Sequence, residues 1–147
     1  MPDHHVDPLV GYGFLVSLAG GESEAVAAGF EEVEGLGGSI DVVEYRNGNE
    51  KEGAVRKLPG LRKYGNVTLK RGLISDLSLW EWFDSLPPDP RDVTITLLDE
   101  SLTAVMRFHL KGAWPCRWTG PHLHAARSLL AVESVELTIR SLRLEVL

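Results

Sequence analysis

The sequence predicts a mainly β fold, a sandwich or open barrel carrying a single α-helix. Three observations predict it. Apolar and polar residues alternate with a period of two in one segment after another, as strands with one buried face require. Glycines at positions 11, 13, 20, 21, 29, 35, 37 and 38 punctuate the first quarter, as expected of turns between short strands. Only one segment shows convincing helical spacing.

In chain order, Phe14, Val16 and Leu18 alternate within YGFLVSL, and a weaker strand is expected from Gly29 to Val33. Ile40, Val42 and Tyr45 mark the next, with the Val42-Val43 pair breaking the alternation as a bulge would. Val67 and Leu69 alternate with Thr68 and Lys70. Val93, Ile95 and Leu97 alternate with Thr94 and Thr96, all residue types that favour a pleated surface. Met106, Phe108 and Leu110 oppose Arg107, His109 and Lys111. Val135, Leu137 and Ile139 oppose Glu136, Thr138 and Arg140, and Leu142, Leu144 and Val146 oppose Arg143 and Glu145. The helix falls in SDLSLWEWFDSLPP. Ser75 or Asp76 is expected to cap it, Leu79, Trp82, Phe83 and Leu86 form its apolar stripe with Trp80 widening it, and Pro87-Pro88 stops it.

A chain of 147 residues, 44% hydrophobic and 24% charged, is expected to form one domain (1–147) with a substantial core. No apolar run approaches the roughly 20 residues of a membrane-spanning helix. The opening MPDHHVDPLV lacks the basic and apolar regions of a secretory leader. Cys116 is the sole cysteine, which removes an internal disulfide and any cysteine-rich zinc site, and suggests folding in a reducing cytoplasm.

Charge is unevenly distributed. Between residues 46 and 72, eight basic residues face only Glu50 and Glu52, leaving +6. The remaining seven basic and nineteen acidic residues leave −12. A basic arm on an acidic body suits a molecule that binds copies of itself. The arm spans about residues 46–66, and its Leu58-Pro59-Gly60-Leu61 centre reads as a rigid turn with two exposed leucines. A hairpin of this length without a core stripe is uncommon inside a compact domain unless it has a task. Tyr45 and Tyr64 beside the basic residues also fit a small nucleic-acid or ligand-binding β module, but the acidic remainder would repel phosphate.

Enzymatic chemistry finds little support. His122 and His124 have the spacing of two ligands on a strand, yet they follow Gly120-Pro121 and have no acidic neighbour, so surface histidines in a turn are expected. His4 and His5 lie in a polar terminus, and His109 sits on the polar face of its strand, where solvation or an ion pair suffices. Cys116, between Pro115 and Arg117, reads as a half-buried structural thiol. No G-x-S-x-G occurs, and Gly35-Leu36-Gly37-Gly38-Ser39 lacks the lysine of a phosphate loop. No catalytic residue, cofactor or metal is expected.

The segment RKLPGLRKYGNVTLKRG closely resembles the signature of tail-tube proteins from contractile phage tails and phage-tail-like injection particles. The resemblance covers nearly the whole chain: Asp7-Pro8 with Phe14-Leu15-Val16, Gly29 to Leu36, Val43-Glu44-Tyr45-Arg46, Leu79 to Phe83, Val93 to Asp99, Ala113-Trp114-Pro115, Thr119-Gly120-Pro121 and Ala131 to Leu137. The stretch Ala126 to Leu130 departs from it, replacing a polar, glycine-containing turn. The resemblance implies the tail-tube fold, with hexameric rings stacked into a hollow tube for cargo protein or DNA. It also implies a contractile sheath around the tube, baseplate and spike partners, assembly in the bacterial cytoplasm and no membrane insertion. A tube-initiator paralogue at the baseplate is the nearest alternative. On this resemblance Arg56, Lys57, Leu58, Pro59, Gly60, Leu61, Arg62, Lys63 and Tyr64 form the arm that stacks one ring on the next. Its acidic acceptors are sought among Asp3, Asp7, Glu31, Glu32 and Glu34. Polar strand positions such as Thr94, Thr96, Glu136 and Thr138 would line the lumen or the outer surface.

Overall fold

The computed structural model describes residues 13–18, 25–27, 30–46, 48, 55–73, 77–126 and 131–147. Its elements are β1 (Gly13–Leu18), β2 (Ala25–Ala27), β3 (Phe30–Glu34), β4 (Gly38–Tyr45), β5 (Arg56–Tyr64), β6 (Val67–Gly72), α1 (Ser78–Asp84), β7 (Arg91–Leu98), β8 (Ala104–Thr119), β9 (Val132–Thr138) and β10 (Ser141–Val146). The mainly β expectation holds, with one short helix among the described residues. The weak β2 had no signal in the alternation.

The organising element is β8, 16 residues long. Its first half pairs with β7 on one side and β10 on the other, and its second half pairs with β9. From β7 the ladder runs to β1 and β2; from β9 it runs to β6 and β3. The strand changes partners at Gly112, whose φ of +63° suits glycine, and where an extra β8 residue shifts the register against β7. Asp92 accepts the Gly112 N–H at 3.2 Å. That hydrogen bond, with help from Lys111, holds the Asp92 carboxyl below its ordinary range despite some desolvation. The bulge has a packing consequence. Leu110 and Ala113, three apart and so on opposite faces of a straight strand, both lie in the core. The plain alternation of residues 106–111 changes phase there, so the sequence gives no sign that the strand continues to Thr119.

Val16, Val67, Leu69, Val93, Ile95, Val135 and Leu137 fill the core between the two halves of the ladder. Each large apolar side chain buried this way contributes roughly 1.5–3 kcal/mol. Helix α1 adds Leu79 and Trp82, and the Trp82 indole donates to the Asp89 carbonyl at 2.7 Å. The helix is shorter than its stripe. It ends at an extended Ser85 ahead of the prolines, so Leu86 is 95% exposed rather than buried. Leu77 takes the N-cap position without a side-chain cap, while Ser75 and Asp76 lie outside the described residues.

The sequence also misplaces two other groups. Leu144 and Val146 on β10 are exposed, because β8 covers one edge of the strand and no described element covers that face. Arg71, counted with the basic arm, is buried. It stands opposite Glu133 in the β6–β9 register, with its Nε 2.5 Å from the carboxylate. Glu133 also accepts from the Trp118 indole at 3.1 Å, Arg71 lies over the Phe30 ring, and Trp80 meets Trp118 edge-on. A buried pair of this kind persists only when its hydrogen-bonding groups are satisfied. Among the described residues, no buried side-chain nitrogen or oxygen lacks a partner.

Candidate assembly site

Strands β4 and β5 form a separate two-stranded sheet. Gly38 faces Tyr64 at its base, where the Gly65 N–H donates to the Gly37 carbonyl at 3.1 Å, and Tyr45 faces Arg56 at its far end. The register runs Ile40 to Arg62 and then Val42 to Pro59, so β5 carries one extra residue at Gly60-Leu61. Gly60 suits a close approach: a Cβ there would sit 3.0 Å from the Asp41 carbonyl oxygen and 3.1 Å from the Val43 side chain, so those neighbours would have to give by a few tenths of an ångström. The bulge expected at Val42-Val43 is therefore on the partner strand. Leu58-Pro59-Gly60-Leu61 is not a turn but the middle of β5. An edge strand tolerates Pro59, because only one of its sides must supply ladder hydrogen bonds.

Arg56, Lys57, Leu58, Pro59, Gly60, Leu61, Arg62 and Lys63 are all exposed, with Tyr64 half-buried. Leu61 is 72% exposed and Leu58 47%. Ile40, Val42 and Tyr45, expected to bury one face of a body strand, are exposed as well, together with Val43. Among the described elements, the ladder partner β5 is the main neighbour of β4. Here the sequence did hold a usable signal: apolar residues at consecutive positions 42 and 43 place hydrophobic groups on both faces of the ribbon. Ile40, Arg62 and Tyr64 line a groove of about 510 Å³ at its base, with Gly38 and Ser39.

The charges of the hairpin are partly balanced in place. Lys63 lies 3.0 Å from Asp41 across the two strands. Of the acidic acceptors, Glu31, Glu32 and Glu34 are exposed on β3, the last strand of the larger ladder. Lys70 lies 3.7 Å from Glu32 and 3.6 Å from Glu34, so these two have a cation within their own chain. Asp3 and Asp7 lie outside the described residues.

Elsewhere, His122 and His124 lie exposed in the loop after β8, and His124 Nδ1 accepts the Ala126 N–H at 3.2 Å. His4 and His5 lie outside the described residues, as do positions 127–130. His109 Nε2 sits 2.7 Å from Glu145, and this hydrogen bond holds the Glu145 carboxyl below its ordinary range. Cys116 is exposed rather than half-buried and bonds to the Glu136 carbonyl oxygen at 3.4 Å. Desolvation, then the Glu136 charge, pushes its thiol pKa up, which opposes a nucleophilic role. Among the described residues, no group of three or more His, Cys, Asp or Glu is placed to hold a metal ion. No described helix is long and apolar enough to cross a membrane.

A packed β body beside a ribbon that leaves its hydrophobic residues exposed defines a subunit built for assembly. The chain belongs to the T4-like virus tail tube protein gp19 family, whose sequence pattern matches residues 10–143. The structure is similar to a chain of the PVC sheath-tube complex of an extracellular contractile injection system in its extended state. That match has 28% identity and a TM-score of 0.81, covering 95% of this chain and 93% of the other. It is also similar to a chain of the anti-feeding prophage baseplate, 6-fold symmetrised, with 25% identity, a TM-score of 0.82 and coverage of 95% and 97%. A third likeness, to the tube-terminating cap of the anti-feeding prophage, has 25% identity, a TM-score of 0.79 and coverage of 100% of both chains. None of the curated proteins compared with it matches. The chain is a tail tube protein of contractile injection systems.

Proposed function

We propose that the chain is a single tail-tube domain over 1–147 that forms hexameric rings and stacks them into the inner tube of a contractile particle. The observation that carries this reading is the β4–β5 hairpin, which buries none of its large apolar side chains, while β1, β6, β7, β8 and β9 of the body contribute to a shared buried core. Its basic strand meets the acidic body of a copy in the next ring: Arg56, Lys57 and Arg62 approach Asp3, Asp7 and Glu31. Glu32 and Glu34 join by exchanging Lys70 for an incoming cation. Each exposed ion pair is worth only about 0–1 kcal/mol, so strength comes from apolar burial and from repetition around the ring. The role is mechanical rather than enzymatic. A sheath surrounds the tube, a baseplate and spike meet its end, and protein cargo or DNA passes through the lumen. Particles assemble in the bacterial cytoplasm.

The similarity to a chain in a sheath-tube complex supports the sheath partner, and the 6-fold symmetrised baseplate supports the ring size. Comparable likeness to baseplate and cap chains favours a second reading, a subunit that starts or ends the tube. Negative-stain electron microscopy of the purified protein separates the two. Long hollow tubes support the main tube subunit, and isolated rings support an initiating or terminating one. Leu58→Asp combined with Leu61→Asp is expected to leave folded subunits that do not stack. Long tubes from that variant would remove the hairpin from the interface.

A further inference from the structure

Resting on the tube reading, the two polar faces of the body ladder are told apart by how their charges are engaged. Residues opposite one another in a ladder share a face. Across β3, β6 and β9, one polar face sets Glu34 and Glu136 on either side of Thr68, and Glu32 beside Lys70. Arg117 lies 3.6 Å from Glu136, and Lys70 reaches both Glu32 and Glu34, so both of these cations have carboxylates. The other polar face spans β1, β7, the first half of β8 and β10. Down its middle run Arg107, His109 and Lys111 on β8, with Thr94 and Arg143 on either side of His109 and Glu145 opposite Arg107. The carboxylates beside this column are engaged within the chain: Asp92 by the Gly112 N–H and Lys111, and Glu145 by His109 at 2.7 Å. Arg107 and Arg143 have no hydrogen bond or ion pair among the described residues; Arg143 is exposed and Arg107 half-buried. A cavity of about 150 Å³ lies among His109, Lys111, Arg143 and Glu145.

We propose that this second face is the lumen wall and that its ligand is an acidic polypeptide passing through the tube in extended form. Charge complementarity names the ligand: two guanidiniums without partners, each with the fork geometry that takes a carboxylate. Spacing fits as well. Side chains on one face of a strand recur every ~6.8 Å, so Arg107, His109 and Lys111 match alternate acidic residues of an extended chain. Nucleic acid fits less well, because none of the residues named on this face is aromatic and offers bases a stacking surface, and Asp92 and Glu145 repel a phosphate backbone. A polypeptide meets those two carboxylates with a lysine or a backbone N–H. Exposed ion pairs are individually weak, which suits a passenger that must keep moving, and repetition around the ring supplies retention.

Fluorescence anisotropy of a labelled oligoglutamate peptide titrated with assembled tubes tests the ligand. Arg107→Gln with Arg143→Gln is expected to leave thermal melting and tube formation unchanged and to weaken oligoglutamate binding by about tenfold or more. Arg107→Lys with Arg143→Lys, which keeps the charge, should retain most of the binding. If the glutamine pair loses its fold, Arg143→Gln alone, at an exposed position of β10, gives the same reading. Binding that these variants leave unchanged overturns the site. Oligothymidylate bound as tightly as oligoglutamate, with the same loss in the variant, overturns the ligand. Placement is read from Leu15→Cys in a Cys116→Ser background, since Leu15 is 42% exposed and shares the row of Thr96 and Arg107. A small maleimide is expected to label this cysteine in free subunits and in tubes, and a maleimide on a long polyethylene glycol chain only in free subunits. Labelling of tubes by the large reagent, or none by the small one, overturns the lumen placement. If the wild-type protein forms no rings or tubes, the tube reading fails and the placement with it, and titration of free subunits still decides the ligand.

Discussion

β5 and β6 are neighbours in sequence, separated only by Gly65-Asn66, and both carry basic residues, yet they end in opposite states. On β6, buried and half-buried positions alternate strictly, and Arg71 on the buried face finds Glu133 and the Phe30 ring. On β5, every residue before Tyr64 is exposed, and Leu58 and Leu61 have no core to enter. The difference lies in the neighbours rather than in the strand residues. β6 is flanked by β3 and β9 and shares the buried core, while β5 has β4 alone as its strand partner and only a sparse contact with β10. A lone two-stranded ribbon is marginal in water. On the proposed function, the body carries its own core and the hairpin is completed by other copies in the tube.

The strongest way to break this comparison is to treat matched arginines alike. Arg71→Met strands the buried Glu133 carboxylate and is expected to cost about 3–5 kcal/mol, whereas Arg62→Met on the exposed ribbon should stay within about 0.5 kcal/mol. Urea unfolding monitored by tryptophan fluorescence measures both, and equal losses would erase the distinction between the two regions. Changing Arg71 to Met and Glu133 to Leu together should recover most of the loss, because no charge is left unpaired.

A smaller effect is expected at the pivot of the body. Gly112→Ala forces a Cβ into the left-handed region and 3.2 Å from the Arg140 side chain. The cost should be roughly 1–2 kcal/mol in the same unfolding assay. No such penalty is expected from an alanine at Gly48, where a Cβ would meet open space.

The smallest effect is a pH dependence. Asp92 has its pKa lowered in the folded state, so its contribution is present above the ordinary carboxylate value and lost as pH falls through the folded one. Stability measured below about pH 4 should fall less steeply in Asp92→Asn, whose side chain keeps an acceptor for Gly112 without a titrating charge. If the hairpin makes the stacking contact as proposed, tube length should not follow that difference.

The body was legible wherever alternation was uninterrupted. β1, β6, β7 and β9 stand where Val16, Val67, Ile95 and Val135 place them. It became illegible where geometry reset the phase. The Gly112 bulge hides the second half of β8, and the early end of α1 leaves Leu86 outside. Arg71 was readable in principle, since it continues the Val67, Leu69 face, but counting it with the surrounding positive charge obscured that. For the hairpin, composition announced a basic arm, but the turn assigned to Pro59-Gly60 was wrong, because an edge strand can hold both residues. Whether a strand face is covered by its own chain or by another is not written in the period of the strand. The local trace was the consecutive Val42-Val43 pair.

The most direct measurement is hydrogen exchange read by mass spectrometry on free subunits and on assembled tubes. If the hairpin is completed by other copies, amides of β4 and β5 exchange fast in the free subunit and slowly in the tube, while β6 and β9 are protected in both. Hairpin amides that exchange at the same rate in the two states would contradict the account.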